Sequence, residues 1–340
     1  MSGQGNRHRT FFIVLGSLTL AVLVITPFIG LHSIPLNAVF QPAEAGTAGD
    51  IFWGIRVPRT LTAFMAGAAL AISGMAFQAM FRNPLATPFT LGVSSGASFG
   101  AAMFMRLGLA FSVLGISGVS FFAFLGALLS VVLVYSLTRA RKGFSTASML
   151  LAGVAISLFF SALILFLQYL SDFANSFRIL RWLMGGLEIA GFDTVLNLLP
   201  FVAAGAAILF YLTHELNLML TGDELAASRG VDVKRSRNTV FIATSLMVGS
   251  VVAVCGPIGF VGMMVPHISR LMVGANHRVL LPATFLFGGA FLTLCDTLAR
   301  LLIAPAEIPV GIITAMLGGP FFIWLLLGGT LARGGFVESR

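Results

Sequence analysis

The sequence predicts an all-α polytopic membrane protein of about ten spans, and three observations carry that prediction. First, 58% of its 340 residues are hydrophobic and 9% charged, with a mean hydropathy of +0.99. A soluble domain carries about a quarter of its residues as charges. Second, the apolar residues run in blocks rather than alternating. Residues 11–31, 60–81, 83–105, 107–138, 143–171, 194–214, 238–269, 279–295 and 308–332 contain no Asp, Glu, Lys or Arg. A helix needs ~20 such residues to cross the hydrocarbon layer. Backbone hydrogen bonding restricts spanning chains to helices or closed barrels, and the ~10-residue alternation of barrel strands is absent. Third, the basic residues segregate. With the N-terminus inside, fourteen of 20 gather on the cytoplasmic side: Arg7, Arg9, Arg82, Arg139, Arg141, Lys142, Arg229, Lys234, Arg235, Arg237, Arg270, Arg278, Arg333 and Arg340. Arg56, Arg59, Arg106, Arg178, Arg181 and Arg300 fall outside. That is the positive-inside pattern; it accounts for the net charge of +8 without a nucleic-acid partner.

The spans are expected at 11–31, 60–81, 90–105, 112–138, 146–170, 193–213, 238–256, 258–273, 279–303 and 309–328. The first is too long for a cleaved signal, and the small-residue "AEA" at 43–45 lies too far beyond it. The second and third are divided by "RNPLATP" (82–88), where two prolines stiffen the turn. "FSVLGISG" (111–118) serves as the entry turn of the fourth. The fifth and sixth flank a polar outer segment, "QYLSDFANSFRILRW" (168–182), whose Gln168, Tyr169, Arg178, Arg181 and Trp182 could face an anionic chelate or anchor the interface. The block 238–269 is too long for one span, and "CGPIGF" (255–260) breaks it into the seventh and eighth. Asp296 stands inside the ninth.

The halves show a repeat. Gly67, Gly74, Pro84 and Gly92 recur as Gly249, Gly256, Pro266 and Gly274, each 182 residues on. The second and seventh spans, which open these segments, run in opposite directions. Two five-helix inverted repeats follow, a common transporter design.

Between the sixth and seventh spans, "TGDELAASRGVDVKRSRN" (221–238) is polar and helix-forming. Thr221 and Glu224 have the spacing of a capping box, Asp223 and Glu224 suit a helix N-terminus, and Gly230 suits a C-cap. The expected product is a short cytoplasmic helix with a small-residue face at Ala226 and Ala227, then a basic entry to the next span. Such a face admits a partner's groove; a solvated loop helix is the alternative.

Little else carries chemistry. Cys255 and Cys295 lie in apolar spans as buried thiols. The five histidines have no metal-ligand spacing, so no metal is assigned. "GVSSGAS" (92–98) sits inside a span and reads as helix packing. A phosphate-binding loop needs Gly-Lys before Ser or Thr, but both lysines, Lys142 and Lys234, lack that context. No span presents paired carboxylates for an enzyme.

Several blocks resemble the FecCD family of ABC importer permeases, which import iron–siderophores, haem and vitamin B12. They are "RVPRTLTAFMAGAALAISGMAFQAMFRNPLATPFTLGVSSGA" (56–97), "LLAGVAIS" (150–157), "GDELAASRGV" (222–231), "GPIGFVGMMVPHISRLMVGANHR" (256–278) and "EIPVGIITAMLGGPFFIWLL" (307–326), in the family's order. The resemblance implies a type II importer permease fold over residues 1–340 in a bacterial inner membrane, with both termini cytoplasmic. It implies a dimer, two cytoplasmic ATPase subunits that use ATP and Mg, and an external binding protein, with no cofactor bound directly by the permease. Asp223, Glu224, Ala226, Ala227, Ser228, Arg229 and Gly230 match the family's coupling helix, within coupling helices at 221–236. Arg56, Arg59 and Arg300 match arginines that dock the binding protein, although Asp296 offers Arg300 an i−4 ion pair instead. Asn83, Leu85 and the Thr146 region match the cytoplasmic gate. The implied cargo is a metal chelate, a ferric siderophore ahead of haem and cobalamin. The rival function is a secondary transporter driven by an ion gradient, which would favour ionisable residues within the spans.

Overall fold

The computed structural model describes residues 2–42, 44–113, 115–140, 146–188 and 191–327, without the side chains of 2–6, 113 and 140. Arg141, Lys142, Arg333 and Arg340 of the charge count, residue 43 and the last residue of the tenth expected span lie outside that set.

Helices account for nearly all of the described architecture. The first half contains α1 (Ser2–Ile25), the short α2 (Asn37–Phe40) and α3 (Thr47–Ile51), then α4 (Val57–Phe81), α5 (Val93–Arg106), α6 (Gly118–Ala140) and α7 (Thr146–Tyr169). A helix α8 (Phe173–Leu183) links the halves. The second half contains α9 (Asp193–Tyr211), α10 (Thr213–Met219), α11 (Asp223–Ser228), α12 (Val233–Cys255), α13 (Val261–Val273), α14 (His277–Leu301) and α15 (Val310–Leu327). Eight of the described helical stretches are long and apolar enough to cross a membrane, and α13 is a shorter apolar helix. A two-residue ribbon pairs Ser112 with Ser117 and Val113 with Ile116, forming the turn into α6.

Several boundaries differ from the expected ones, each for a local reason. α1 ends at Ile25 because Pro27 follows, and the chain leaves through a short tight turn over Thr26–Phe28. α4 is preceded by a π-wound turn, Phe52–Arg56, so that α3 to α4 is helical throughout. α9 stops at Tyr211, and α10 resumes helical winding, an element the sequence reading missed.

α4 is the centre of the molecule. Of its apolar stretch 89% is buried, against 17% for α7 at the periphery. It reaches its neighbours through glycine. A methyl at Gly74 would lie 1.8 Å from the Gly262 carbonyl oxygen of α13, so α4 and α13 pack backbone against backbone. α4 and α14 meet in the same way at Gly67 and Gly288. Small residues are the usual means of close helix approach in a bilayer, where lipid removes the hydrophobic drive for helix pairing. Gly96 of "GVSSGAS" likewise packs on Gly126 of α6.

Both halves repeat one order of elements. In each, a long helix, then a second, precedes a short one of 14 or 13 residues (α5 and α13), and two more long helices follow. The fixed shift of 182 does not map equivalent positions, however. Gly74 lies inside α4 while Gly256 ends α12 with φ 67°, and Pro84 lies in a loop while Pro266 lies inside α13. Connectors of different length change the offset along the chain, so Val57 corresponds to Val233 but Gly118 to His277.

Candidate coupling helix, gate turn and outer ion cluster

α11 is built from its own sequence and held by one outside contact. Its N-cap is Gly222, in a backbone conformation (φ 118°, ψ 154°) that glycine tolerates. The expected Thr221 capping box is not formed. The Thr221 hydroxyl donates instead to the Leu218 carbonyl at 2.7 Å, closing the end of α10. The far end meets expectation. Gly230 has φ 86°, its N–H donates to Ala227 O at 3.0 Å, and that of Val231 donates to Ala226 O at 3.1 Å. These are the two bonds of a Schellman cap.

Asp223 is tied down by a partner the sequence reading did not identify. Arg237 of α12, almost fully buried, donates from one guanidinium nitrogen to Asp223 Oδ2 at 2.9 Å. This pair links the start of α11 to a helix that packs on α4. The small-residue face divides in two. Ala226 is wholly buried against the chain itself, which removes it from the partner-facing surface, while Glu224, Leu225, Ala227, Ser228 and Arg229 are exposed. Leu225 and Ala227 are the exposed apolar positions of α11, with the charged Glu224 and Arg229 flanking them in sequence.

The gate turn follows α4. Arg82 takes a left-handed conformation (φ 50°) that stops the helix. Asn83 Oδ1 then accepts the Leu85 N–H at 2.9 Å, an Asx-turn that presents Leu85 half-exposed. Thr87 and Thr90 close a capping box around Pro88. Thr146 opens α7, and α7 meets this segment further along, where Gly153 lies against Thr90 and Leu91.

The outer arginines do not project from the surface. Arg56 is buried and donates to the carbonyls of Pro27 (3.1 Å), Phe28 (3.2 Å) and His32 (2.6 Å), gathering the chain after α1. Arg59 holds Asp296 through Nε and one terminal nitrogen, at 2.9–3.2 Å, and Glu307 through the other at 2.8 Å. Arg300 lies 3.4 Å from Asp296 and reaches the Ile29 carbonyl. The i−4 alternative for Arg300 is thus the one observed. Inward hydrogen bonding leaves these guanidiniums little free surface on the single chain, unlike the open display that the sequence reading expected of docking residues. Asp296 carries two guanidiniums because neither can be desolvated without a counter-charge.

Beside this cluster, α8 and the segment before α15 enclose a cavity of about 530 Å3 lined by Phe177, Arg181, Met184, Glu188, Glu307 and Pro309. Arg181 pairs with Glu188, and Arg178 bonds Asn175, so two arginines of the outer segment have protein partners. Tyr169 stays exposed. A further contact absent from the sequence reading is Gln78. It bridges the backbone of Met263 (3.3 Å) and the Arg270 guanidinium (3.0 Å) between α4 and α13. A glutamine within an uncharged span was the available signal.

A bundle of long apolar helices centred on a glycine-notched helix, with a short exposed helix between two of them, defines a polytopic α-helical membrane protein. Residues 18–328 match the FecCD transport family, and the chain belongs to that family. It is 38% identical over 336 residues to YvrB of Bacillus subtilis, an ABC transporter permease protein, covering 95% of each chain. It is 36% identical to the hemin transport system permease protein HmuU of Yersinia pestis, over 93% of this chain and 95% of that one. With the cobalamin import system permease protein BtuC of Halobacterium salinarum it shares 44% identity, over 86% and 78%. A solved inward-facing metal-chelate type ABC transporter superposes with a TM-score of 0.85 at 34% identity, covering 94% of this chain and 99% of that one. PsaBC of Streptococcus pneumoniae gives 0.52 at 15% identity, a likeness of fold alone. The fold is therefore that of a type II ABC importer permease.

Proposed function

We propose that this chain is the transmembrane subunit of an ATP-driven importer that carries a metal chelate inward across the membrane. Two copies form the pathway, two cytoplasmic ATPase subunits bind α11 and hydrolyse ATP with Mg, and an external binding protein delivers the cargo. The observation that carries this reading is α11 itself: a capped, exposed tip anchored to a buried arginine of α12. A tip that only closed a loop would not need an anchor into the bundle. The gradient-driven alternative loses its one acidic residue well inside an expected span, because Asp296 is held between Arg59 and Arg300.

For cargo, similarity to haemin and cobalamin permeases supports a large chelate, and the sequence resemblance adds ferric siderophores. The cavity beside α8 is the proposed entry, and the turn at Asn83 and Leu85 the proposed cytoplasmic gate. The test is uptake into vesicles holding the permease and its ATPase, supplied with the cognate binding protein and, in turn, a ferric siderophore, haemin and cobalamin. ATP-dependent accumulation of one of them is expected. Uptake that persists without ATP and collapses with an ionophore would overturn the reading.

A further inference from the structure

A second cavity, of about 750 Å3, lies at the end of the bundle that carries α11, where α9 gives way to α10 and α12 begins. Its chemistry is unusual because charges of both signs face it without pairing. Glu215 of α10 and Asp232 at the N-cap of α12 supply two carboxylates, and Arg229 and Arg235 supply two guanidiniums. Neither guanidinium is within ion-pair reach of a carboxylate or bonded to any described residue. Glu215 Oε2 is buried and accepts no hydrogen bond. The wall toward the membrane is different in kind. Ile208 and Tyr211 line it from α9, and Tyr211 is 82% exposed on a helix apolar enough to span. A tyrosine at a helix end marks the headgroup level of a bilayer.

We propose that this cavity binds the headgroup of a zwitterionic phospholipid with a primary amine, of the phosphatidylethanolamine class. Arg229 and Arg235 take the phosphate, whose oxygens match guanidinium donors. The ammonium donates to the Glu215 carboxylate, with Asp232 beside it, and the acyl chains follow Ile208 and Tyr211 along α9. A purely anionic lipid would leave Glu215 unmatched, since Asp232 already accepts the Arg235 N–H at the N-cap of α12. A choline headgroup carries the positive charge but has no N–H for the Glu215 carboxylate. The volume is within the ordinary range for a small-molecule site. The cavity shares Arg229 and Gly230 with the proposed coupling segment, so lipid retention is read on the permease without its ATPase, where failure of the import reading leaves the result unchanged.

The test is native mass spectrometry of the full-length permease released from nanodiscs of mixed dioleoyl phosphatidylethanolamine and phosphatidylcholine. The expected result is about a tenfold preference for the ethanolamine lipid, equivalent to ~1.4 kcal/mol, falling stepwise as the headgroup nitrogen is methylated. Glu215→Gln should abolish the preference without loss of phosphatidylcholine binding, and Arg235→Gln should weaken both lipids alike. Equal retention of the two lipids by the unmodified chain would overturn the proposal, as would a preference that survives Glu215→Gln. Because the methylation series alters the lipid and not the protein, it decides the matter even where a variant fails to fold. Free phosphoethanolamine that displaces the lipid at equal concentration would reassign the cavity to a soluble amino-phosphate.

Discussion

At the scale of single residues, Asp296 carries more consequence than its place in an apolar helix suggests. It is 2% exposed and touches both Arg59 and Arg300. Removing one member of a buried ion pair strands the other charge and costs about 3–5 kcal/mol. We therefore expect Asp296→Asn to lower the thermal midpoint of the detergent-solubilised permease sharply. Glu307→Gln should cost under ~1 kcal/mol, since that carboxylate is 43% exposed and screened by solvent. Equal midpoints for the two variants would contradict the buried network. The Arg300 pairing was legible because i and i−4 share a helix face. Arg59 was not, because 237 residues separate it from Asp296 and no local pattern spans that distance.

At the scale of elements, the anchoring of α11 is the feature with mechanical meaning. If Asp223–Arg237 transmits movement between an ATPase and the bundle, its loss should loosen α11 and spare its fold. Arg237→Ala should raise amide exchange across 223–230 by about tenfold or more, the equivalent of losing one charge-assisted hydrogen bond. Protection in α12 should persist, and unchanged exchange in α11 would refute the anchor. The turn at 82–88 yields a second expectation. If Leu85 stands at a gate on the dimer axis, Leu85→Cys should crosslink to its copy, vary with the nucleotide state of the ATPase and block uptake. An active complex whose cysteines never join would remove Leu85 from the gate. The start, stop and polarity of α11 were readable from "GDELAASRG". Its N-cap was misread because the Thr221 hydroxyl had a nearer acceptor in α10, a helix beyond the expected end of the preceding span at 213 that the sequence reading did not identify.

At the scale of the whole molecule, the architecture was legible where composition decides it. Uncharged blocks and the break at "CGPIGF" place most of the helices to within a few residues, whereas α1 runs over Ser2–Ile25 rather than 11–31 and α6 starts at Gly118 rather than 112. The inverted repeat was visible as a design but not as an alignment, because unequal connectors remove any constant offset. Arg56, Arg59 and Arg300 were legible as an anomaly but not in their contacts: their rarity asked for a partner, and the chain itself supplies carbonyls, Asp296 and Glu307. α4 bears the assembly, so Gly74→Val, which forces a side chain into the Gly262 backbone, should unseat α13 and abolish complex formation, as size-exclusion chromatography would reveal. The central claim is that α11 is where a separate ATPase engages this permease. The most direct measurement is the amount of ATPase subunit retained on affinity-tagged permease carrying Ala227→Trp, a bulky change at an exposed position. The account predicts about a tenfold loss of retained ATPase, or ~1.4 kcal/mol, with an unchanged thermal midpoint of the permease. Full retention of the ATPase together with normal ATP-driven uptake would contradict it.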